Sequence, residues 1–502
     1  MKRHNRTMIA AATAMLCLVS LVGAQDGPAL PDGLPAGDGA SETESGGASG
    51  PSLPSGLPGG EDDDASAGTS PPTGLDDDGD DATAPDEADD RTWLDMVNDA
   101  GMSGFWEVRG GMRTQNDPYQ NDVSLAETRL QIDWREVFDG LTVQLTGDLV
   151  YDQADHHMSN VNLNTGSGWF DLREAWVAFS PLAFLDVKAG RQVLTWGTGN
   201  YVFLNDIFPK DWLSYFLGRD LEYLKAPSDA LRLSVFTDIV NAEFVYMPHV
   251  LPSRGITGRR LSYYSPQLGR PAGQDAVIDP ERPDECFDDA VYAMRLYRRI
   301  GSYELAAYGS WGVWQTPEGF DPARGVAFYP RLNTYGASVR GPLLAGIANM
   351  EVAWYDSRDD RHGTNPFVRN SEMRILVGYE QDLPEIADDL TVGVQYYVEI
   401  MADYDSYRDA LLPGQPQADP ARHWVTFNVT KQLINQNLTL DLFAYYSPSS
   451  DDAYFRPSVS YKIDDHWTAT LGGNVFVGSH NHTFFGQFER NSNVYASLRF
   501  GF

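Results

Sequence analysis

The feature that most constrains this chain is a period of two. From residue 103 to the carboxyl terminus, apolar and polar residues alternate, as in Leu130-Gln131-Ile132-Asp133-Trp134, Leu141-Thr142-Val143-Gln144-Leu145 and Leu438-Thr439-Leu440-Asp441-Leu442. Alternation sends successive side chains to opposite faces of a strand, so each segment has one apolar and one polar face. A soluble sandwich shows the same pattern, and segment length separates the two. Eighteen segments lie near 104–113, 123–135, 140–152, 170–180, 183–194, 229–238, 241–248, 288–299, 302–314, 326–340, 345–357, 370–381, 389–402, 422–433, 437–446, 453–463, 466–477 and 492–502. Most run about 10–14 residues, where globular strands average about 5–6 and a tilted membrane strand needs about 9–11.

The connections alternate in length. Short ones include Phe138-Asp139-Gly140, Ser180-Pro181-Leu182, Ile300-Gly301 and Ile463-Asp464-Asp465; long ones fall at 153–169, 195–228, 249–287, 315–325, 403–421 and 478–491. The last strand places Val494, Ala496, Leu498, Phe500 and Phe502 on one face and ends on an aromatic. Lipid tolerates strands only in a closed barrel, where every backbone group is paired. The expectation is therefore an all-β chain: a transmembrane antiparallel up-and-down β-barrel of about 18 strands, 16 being the alternative. Its aromatic girdles are expected at Trp106, Trp134, Tyr151, Trp176, Tyr246, Tyr355, Tyr446, Tyr461 and Trp467.

The amino terminus reads as an address. Lys2, Arg3 and Arg6 precede an apolar run from Met8 to Val22, and Val22-Gly23-Ala24 supplies small residues, so 1–24 is expected to be a signal peptide. Residues 25–90 hold acids, Gly, Pro, Ser and Ala but no base, including Glu61-Asp62-Asp63-Asp64 and Asp76-Asp77-Asp78. Such a composition predicts a disordered acidic linker. The barrel domain is expected at 91–502, in the cell outer membrane of a Gram-negative-type envelope with the linker in the periplasm. The formal net charge of −34 argues against nucleic acid as a partner. Two cysteines, Cys17 and Cys286, exclude a disulfide scaffold and a cysteine-built metal centre. Expected partners are outer-membrane lipid and lipopolysaccharide, the barrel-assembly machinery through the last strand, and a periplasmic partner reached by the acidic linker.

The polar face of each strand should line a water-filled interior. It offers Glu127, Arg129, Asp133, Asp186, Lys188, Arg232, Arg295, Glu351 and Arg374, with charges of both signs. The long segment after the fifth strand is rich in aromatics: Trp196, Tyr201, Phe203, Phe208, Trp212, Tyr215, Phe216 and Tyr223. Water would not hold so many, so the segment is expected to fold into the lumen as a constriction, with Trp196, Tyr201, Phe208 and Trp212 as walls and Lys210, Arg219 and Lys225 as polar contacts; an external lid or subunit contact is the other reading. A second loop carries Arg254, Arg259, Arg260 and Arg270 and reads as a basic collar for anionic solutes or lipopolysaccharide.

The stretch Leu172-Arg173-Glu174-Ala175-Trp176-Val177-Ala178-Phe179, followed by Val187-Lys188-Ala189-Gly190-Arg191-Gln192-Val193-Leu194-Thr195-Trp196-Gly197, resembles the alginate-export porins and a related group of uncharacterised large porins. The resemblance implies a barrel that passes a solute, with Arg191, Gln192 and Trp196 at a pore entrance. Enzyme readings are weaker. His156-His157 with Ser159 lies on a loop rather than beside a strand, and a Ser/His pair needs a third, orienting group. His480-Asn481-His482 lacks a second ligand cluster. No cofactor and no metal are expected. The function expected is a porin for passive or facilitated diffusion of a small or oligomeric polar solute; the alternative is a scaffold barrel that sheathes or anchors a periplasmic partner, and it requires an unobstructed lumen.

Overall fold

The computed structural model describes residues 101–502 apart from 156–157, 200–201, 266–267, 284 and 414–416. The expected signal peptide and acidic linker, His156, His157 and Tyr201 therefore lie outside the described residues.

Eighteen strands form one antiparallel sheet. They are β1 (Met102–Arg113), β2 (Val123–Phe138), β3 (Leu141–Asp152), β4 (Phe170–Leu182), β5 (Leu185–Val193), β6 (Pro227–Val235), β7 (Asn241–Met247), β8 (Val291–Ile300), β9 (Tyr303–Val313), β10 (Arg331–Leu343), β11 (Gly346–Ser357), β12 (Glu372–Asp382), β13 (Leu390–Met401), β14 (Ala421–Leu433), β15 (Leu438–Ser447), β16 (Asp452–Lys462), β17 (Trp467–Gly478) and β18 (Asn493–Gly501). Each corresponds to one of the segments read from the alternation. The sheet closes because β18 pairs with β1, from Phe105 opposite Gly501 to Arg113 opposite Asn493. Gly104 completes the seam by exchanging backbone hydrogen bonds of 2.8 and 3.0 Å with Phe502. Closure leaves no edge strand, which is what a lipid environment demands.

The barrel is apolar outside and polar inside. Outward side chains such as Trp106, Val108, Leu145, Leu149, Leu471 and Leu498 are exposed, Leu471 to 61%. Their neighbours on the inner face, Glu107, Arg109, Glu127, Arg129 and Asp148, are all buried. This inversion of the soluble pattern identifies a transmembrane barrel. Seven of the nine aromatics expected in girdles point outward, and Trp467 packs on Phe500 at 5.0 Å.

Trp176 and Tyr355 do not point outward. A register shift between Thr146 and Gly147 moves Trp176 to the inner face, where Lys188 lies 3.8 Å from its ring. Tyr355 sits on the inner face of β11 and is 1% exposed. The end of the barrel carrying the two-residue turn Asp139-Gly140, the start of β1 and the end of β18 is the turn side; the opposite end is the loop side. One loop-side connection, Pro448 to Asp451, is as short as a turn.

The membrane assignment predicts an asymmetry between faces. Leu471→Arg, on the outer face, should cost about 2–4 kcal/mol in lipid. Ser458→Arg, on the inner face opposite Asp441, should be close to neutral. Urea unfolding of the refolded barrel in vesicles measures both.

Candidate functional site

The connection from β5 to β6 turns into the barrel. Val202, Leu204, Trp212 and Leu217 are fully buried, and Phe203, Phe208, Tyr215 and Phe216 nearly so. Its contacts reach three separate parts of the wall, so it lies across the lumen.

At its root, Trp196 donates through Nε1 to Glu243 at 2.8 Å and meets Phe208 edge-on at 4.9 Å. Thr198, Gly199 and the stretch 202–205 then dock on β10–β12. Glu351, fully buried on β11, accepts hydrogen bonds from the Thr198 and Gly199 backbone N–H groups, the Thr198 hydroxyl (3.0 Å) and the Asn205 side-chain amide (2.7 Å). Tyr355 donates to the Leu204 carbonyl at 2.7 Å and Asn349 to the Thr198 carbonyl at 2.5 Å. One carboxylate satisfying several buried donors makes a latch, since each donor left unpaired would carry a desolvation penalty.

The chain next crosses to the far wall. A helix, Trp212–Leu217, is capped by the Asp211 side chain, which accepts from Ser214 N at 2.8 Å. It ends at Gly218, whose φ of 85° is accessible to glycine without strain. Its aromatic face is why the sequence reads as buried. Phe216 packs on Phe476 at 5.3 Å and on Phe488 at 6.0 Å, and Tyr215 on Tyr454 at 5.9 Å. Gly218 lies flush against Tyr495, with no room for a Cβ.

Beyond the helix, ion pairs fasten the loop to the first and last strands. Asp220 accepts from Arg109 and Arg499, each at 2.5 Å, and Glu222 pairs with Arg499 at 3.1 Å. Although burial pushes the Asp220 carboxyl up, Arg109 and Arg499 hold it well below its usual range. Arg219 pairs with Glu127, which also holds Arg129 at 2.9 Å. Tyr223 lies between Arg129 and Arg173, with its ring centre 4.3 and 4.8 Å from their guanidinium carbons.

The structure therefore brings many of the expected site residues together as fastenings. Glu127, Arg129, Arg219, Trp196, Phe208, Trp212 and Glu351 hold or form the loop. Lys210 donates to the Phe208 carbonyl at 2.8 Å and pairs with Asp206 at 3.1 Å. Lys225 supplies a carbonyl to Arg173 at 2.8 Å. Gln192 bonds the Ala230 carbonyl at 3.0 Å, and Arg191 pairs with Asp229 at 3.2 Å.

The others stand apart from the loop. Asp133 accepts from Gln144 and Thr146, Asp186 from Ser180, and Lys188 covers Trp176. Arg232 pairs with Glu243, Arg295 with Glu304 at 2.6 Å, and Arg374 with Glu372 at 2.6 Å.

The basic collar is not present. Arg254 is buried between Asp171 at 2.7 Å and Asp211 at 3.3 Å, Arg260 is buried on Asp152, and Arg270 pairs with Asp275. Arg254 and Arg260 thus point inward as further fastenings, while Arg270 stays in a partly exposed pair and Arg259 is exposed. The sequence reading also missed the connection after β17, which folds inward with Phe484, Phe485 and Phe488 buried. Its Phe-Phe pair and Phe488 were the available signal. His480 and His482 lie with ring centres 5.3 Å apart, and no group of three metal-ligating side chains occurs among the described residues.

Two clefts flank the latch. On the loop side, a small cleft is lined by Ile207, Trp314, Thr316, Tyr355, Arg369 and Arg374. On the turn side, a smaller one is lined by Thr198, Arg340, Asn349, Glu380 and Gln395. The Glu351-held stretch lies between them along the β10–β12 wall.

No protein-family model and no curated protein matches the chain. Among solved structures it is similar to Acinetobacter baumannii OccAB4, at 10% identity over 80% of this chain and 97% of that one, with a TM-score of 0.49. Pseudomonas aeruginosa OccK11 (OpdR) is 9% identical over 80% of this chain and 95% of that one, TM-score 0.46. Salmonella typhi OmpF is 9% identical over 81% and 99%, TM-score 0.38. These likenesses assign neither a site nor a solute.

Removing the latch tests its role. Glu351→Ala strands several buried N–H groups and should speed amide exchange at Thr198, Gly199 and Asn205 about a hundredfold, the effect of losing roughly 3 kcal/mol. Glu351→Gln, which keeps one acceptor, should fall between. Hydrogen exchange read by mass spectrometry reports both, and unchanged protection in Glu351→Ala would remove the latch.

Proposed function

We propose that the protein is an outer-membrane channel that lets a small polar solute diffuse through the barrel, with no covalent chemistry. The observation that carries this reading is the inward loop: fastened across the lumen, it narrows the bore, and small clefts lined by Arg369 on one side and by Arg340, Asn349 and Gln395 on the other flank its latched stretch. A solute passing along the β10–β12 wall would meet Arg369 and Thr316 first, then Arg340, Asn349, Glu380 and Gln395. The expected pore-lining set is retained here in a restricted sense: Arg374 backs the loop-side cleft, Glu351 sets the gap, and Trp196, Phe208, Trp212 and Arg219 hold the narrowing in place. The proposed location is the outer membrane, with the amino-terminal linker and the turns in the periplasm and the last strand serving as the assembly signal.

Kinship with alginate-export porins rests on the stretch 172–197 alone. A polyuronate path calls for a strongly basic track, whereas the interior arginines here are largely paired with carboxylates. A small solute recognised by hydrogen bonds fits the clefts better. The scaffold reading needs an open bore, and a loop fastened across the lumen weighs against it.

Single-channel recording in a planar bilayer tests the proposal. Stepwise conductance is expected from the native protein, and a larger, noisier conductance from Glu351→Ala. A correctly folded protein that stays silent, with the latch both present and removed, would sink the channel reading.

A further inference from the structure

The turn-side rim of the barrel is apolar where water would ask for polar residues. At or beside each of the eight connections on that side lies an exposed large apolar side chain. Leu344 is 93% exposed, and Ile239 and Ile386 are each 73% exposed. Two of the rim residues also sit where the backbone disfavours them. Leu344 and Ile434 both have a φ of 55°, in the left-handed region that turns in water reserve for Gly, Asn or Asp. Asp139-Gly140 and Gly301 follow that rule, with positive φ on other turns of the same rim. A leucine and a β-branched isoleucine held there combine strain with exposed apolar surface, and only burial of the side chains outside the protein offsets both.

The height of the outer wall points to what buries them. On the loop side Tyr246, Tyr292 and Trp311 form one outward row, continued by Tyr335 beside Trp354. Such a row marks one boundary of the hydrocarbon. Ile239, Ile300 and Leu344 lie seven, eight and nine residues from Tyr246, Tyr292 and Tyr335 along the chain, at the opposite end of the wall. At about 2.5 Å of height per residue in a tilted strand, these spans reach about 18, 20 and 23 Å. The apolar band of an outer-membrane barrel is about 25 Å tall. The hydrocarbon therefore reaches the turns before it ends, and the tips continue the lipid-facing belt without a break. On β7 the belt itself is only Ala242, Phe244 and Tyr246, so the exposed Ile239 and Val240 carry it to the far boundary.

We propose that the turn tips anchor the barrel in the lipid leaflet on that side, with Ile239, Leu344, Ile386 and Ile434 passing through the headgroup layer to the acyl boundary. Asp238 and Asp388, on two of these turns, are exposed and stay in the hydrated headgroup layer, which limits how deep the tips go. Anchored so, the turn-side mouth lies flush with the membrane surface, and side chains at both ends of the wall set the depth of the barrel. The anchoring requires a transmembrane barrel and is independent of conduction.

Collision accessibility of nitroxide labels tests it on the full chain refolded in phosphatidylethanolamine–phosphatidylglycerol vesicles, with Cys17→Ser and Cys286→Ser as background. Labels go at Ile239→Cys and Leu344→Cys. Leu471→Cys on the outer wall is the lipid reference, and Ala323→Cys on an exposed loop-side connection is the water reference. The tip labels should collide with oxygen as the Leu471 label does and lose the nickel-chelate collisions seen at Ala323. Nickel access equal to that at Ala323 overturns the proposal. Shielding from both oxygen and nickel would mean that protein covers the tips, and overturns it equally. A Leu471 label open to nickel would overturn the membrane barrel itself, and the anchoring with it. Ile239→Asp and Ile386→Asp carry no probe and would be close to neutral on turns in water. In lipid each should lower the folded-to-unfolded ratio in urea about tenfold, the effect of withdrawing one half-buried isoleucine. No change in either variant would remove the anchoring.

Discussion

The interior of this barrel depends on one short arrangement, an acid and an arginine two residues apart on the same strand. Glu107 with Arg109, Glu127 with Arg129 and Glu372 with Arg374 each place a carboxylate beside a guanidinium on the inner face. A period of two makes them neighbours, and the pairing lets both charges be buried. An isolated buried charge would cost several kcal/mol. With the pair satisfied, the outer half of each arginine is left to take a second carboxylate. That second partner comes from the inward loop for Arg109, as Asp220, and from the neighbouring strand β3 for Arg129, as Asp148. The inward loop is thus held by charges whose first duty is to one another.

Much of this was legible in the sequence. The alternation specified all eighteen strands, because a half-buried strand writes its two faces directly into the order of residues. The aromatic density of 196–225 showed that the segment had to be sheltered, and the lumen was the nearest shelter. The faces of Trp176 and Tyr355 were not legible. A register shift moved the first, and the second serves as a hydrogen-bond donor to Leu204 rather than as an anchor at an interface. The fate of Arg254 and Arg260 was hidden for another reason. Their carboxylate partners, Asp171, Asp211 and Asp152, are distant in sequence, and no local pattern announces a pairing made only in three dimensions. The acid-x-arginine spacing was visible throughout, but its meaning depends on which face points inward.

The clefts beside the latch follow from the same economy. Where arginines and carboxylates neutralise one another, the wall offers directional hydrogen bonds in place of a net field, and the solute that fits is chosen by shape and polarity. Arg369 illustrates this: it binds Glu372 at 2.8 Å, Glu399 at 2.9 Å and Glu318 at 3.3 Å while covering the Trp314 ring at 4.8 Å.

The fastenings of the loop also set an order of events during assembly. Arg109 and Glu127 belong to the first two strands, whereas Arg456 and Arg499 belong to the sixteenth and last. Arg456 donates to the Arg219 carbonyl at 2.7 Å, and Asn493 to the Phe216 carbonyl at 3.3 Å. Arg499 and Asn493 do not stand in place until the last strand has inserted and the seam has formed. Contacts so distant in sequence form late. The far-wall fastening of the loop is therefore among the last steps of maturation, and a barrel that stalls before its last strand would hold its narrowing by the β10–β12 latch alone.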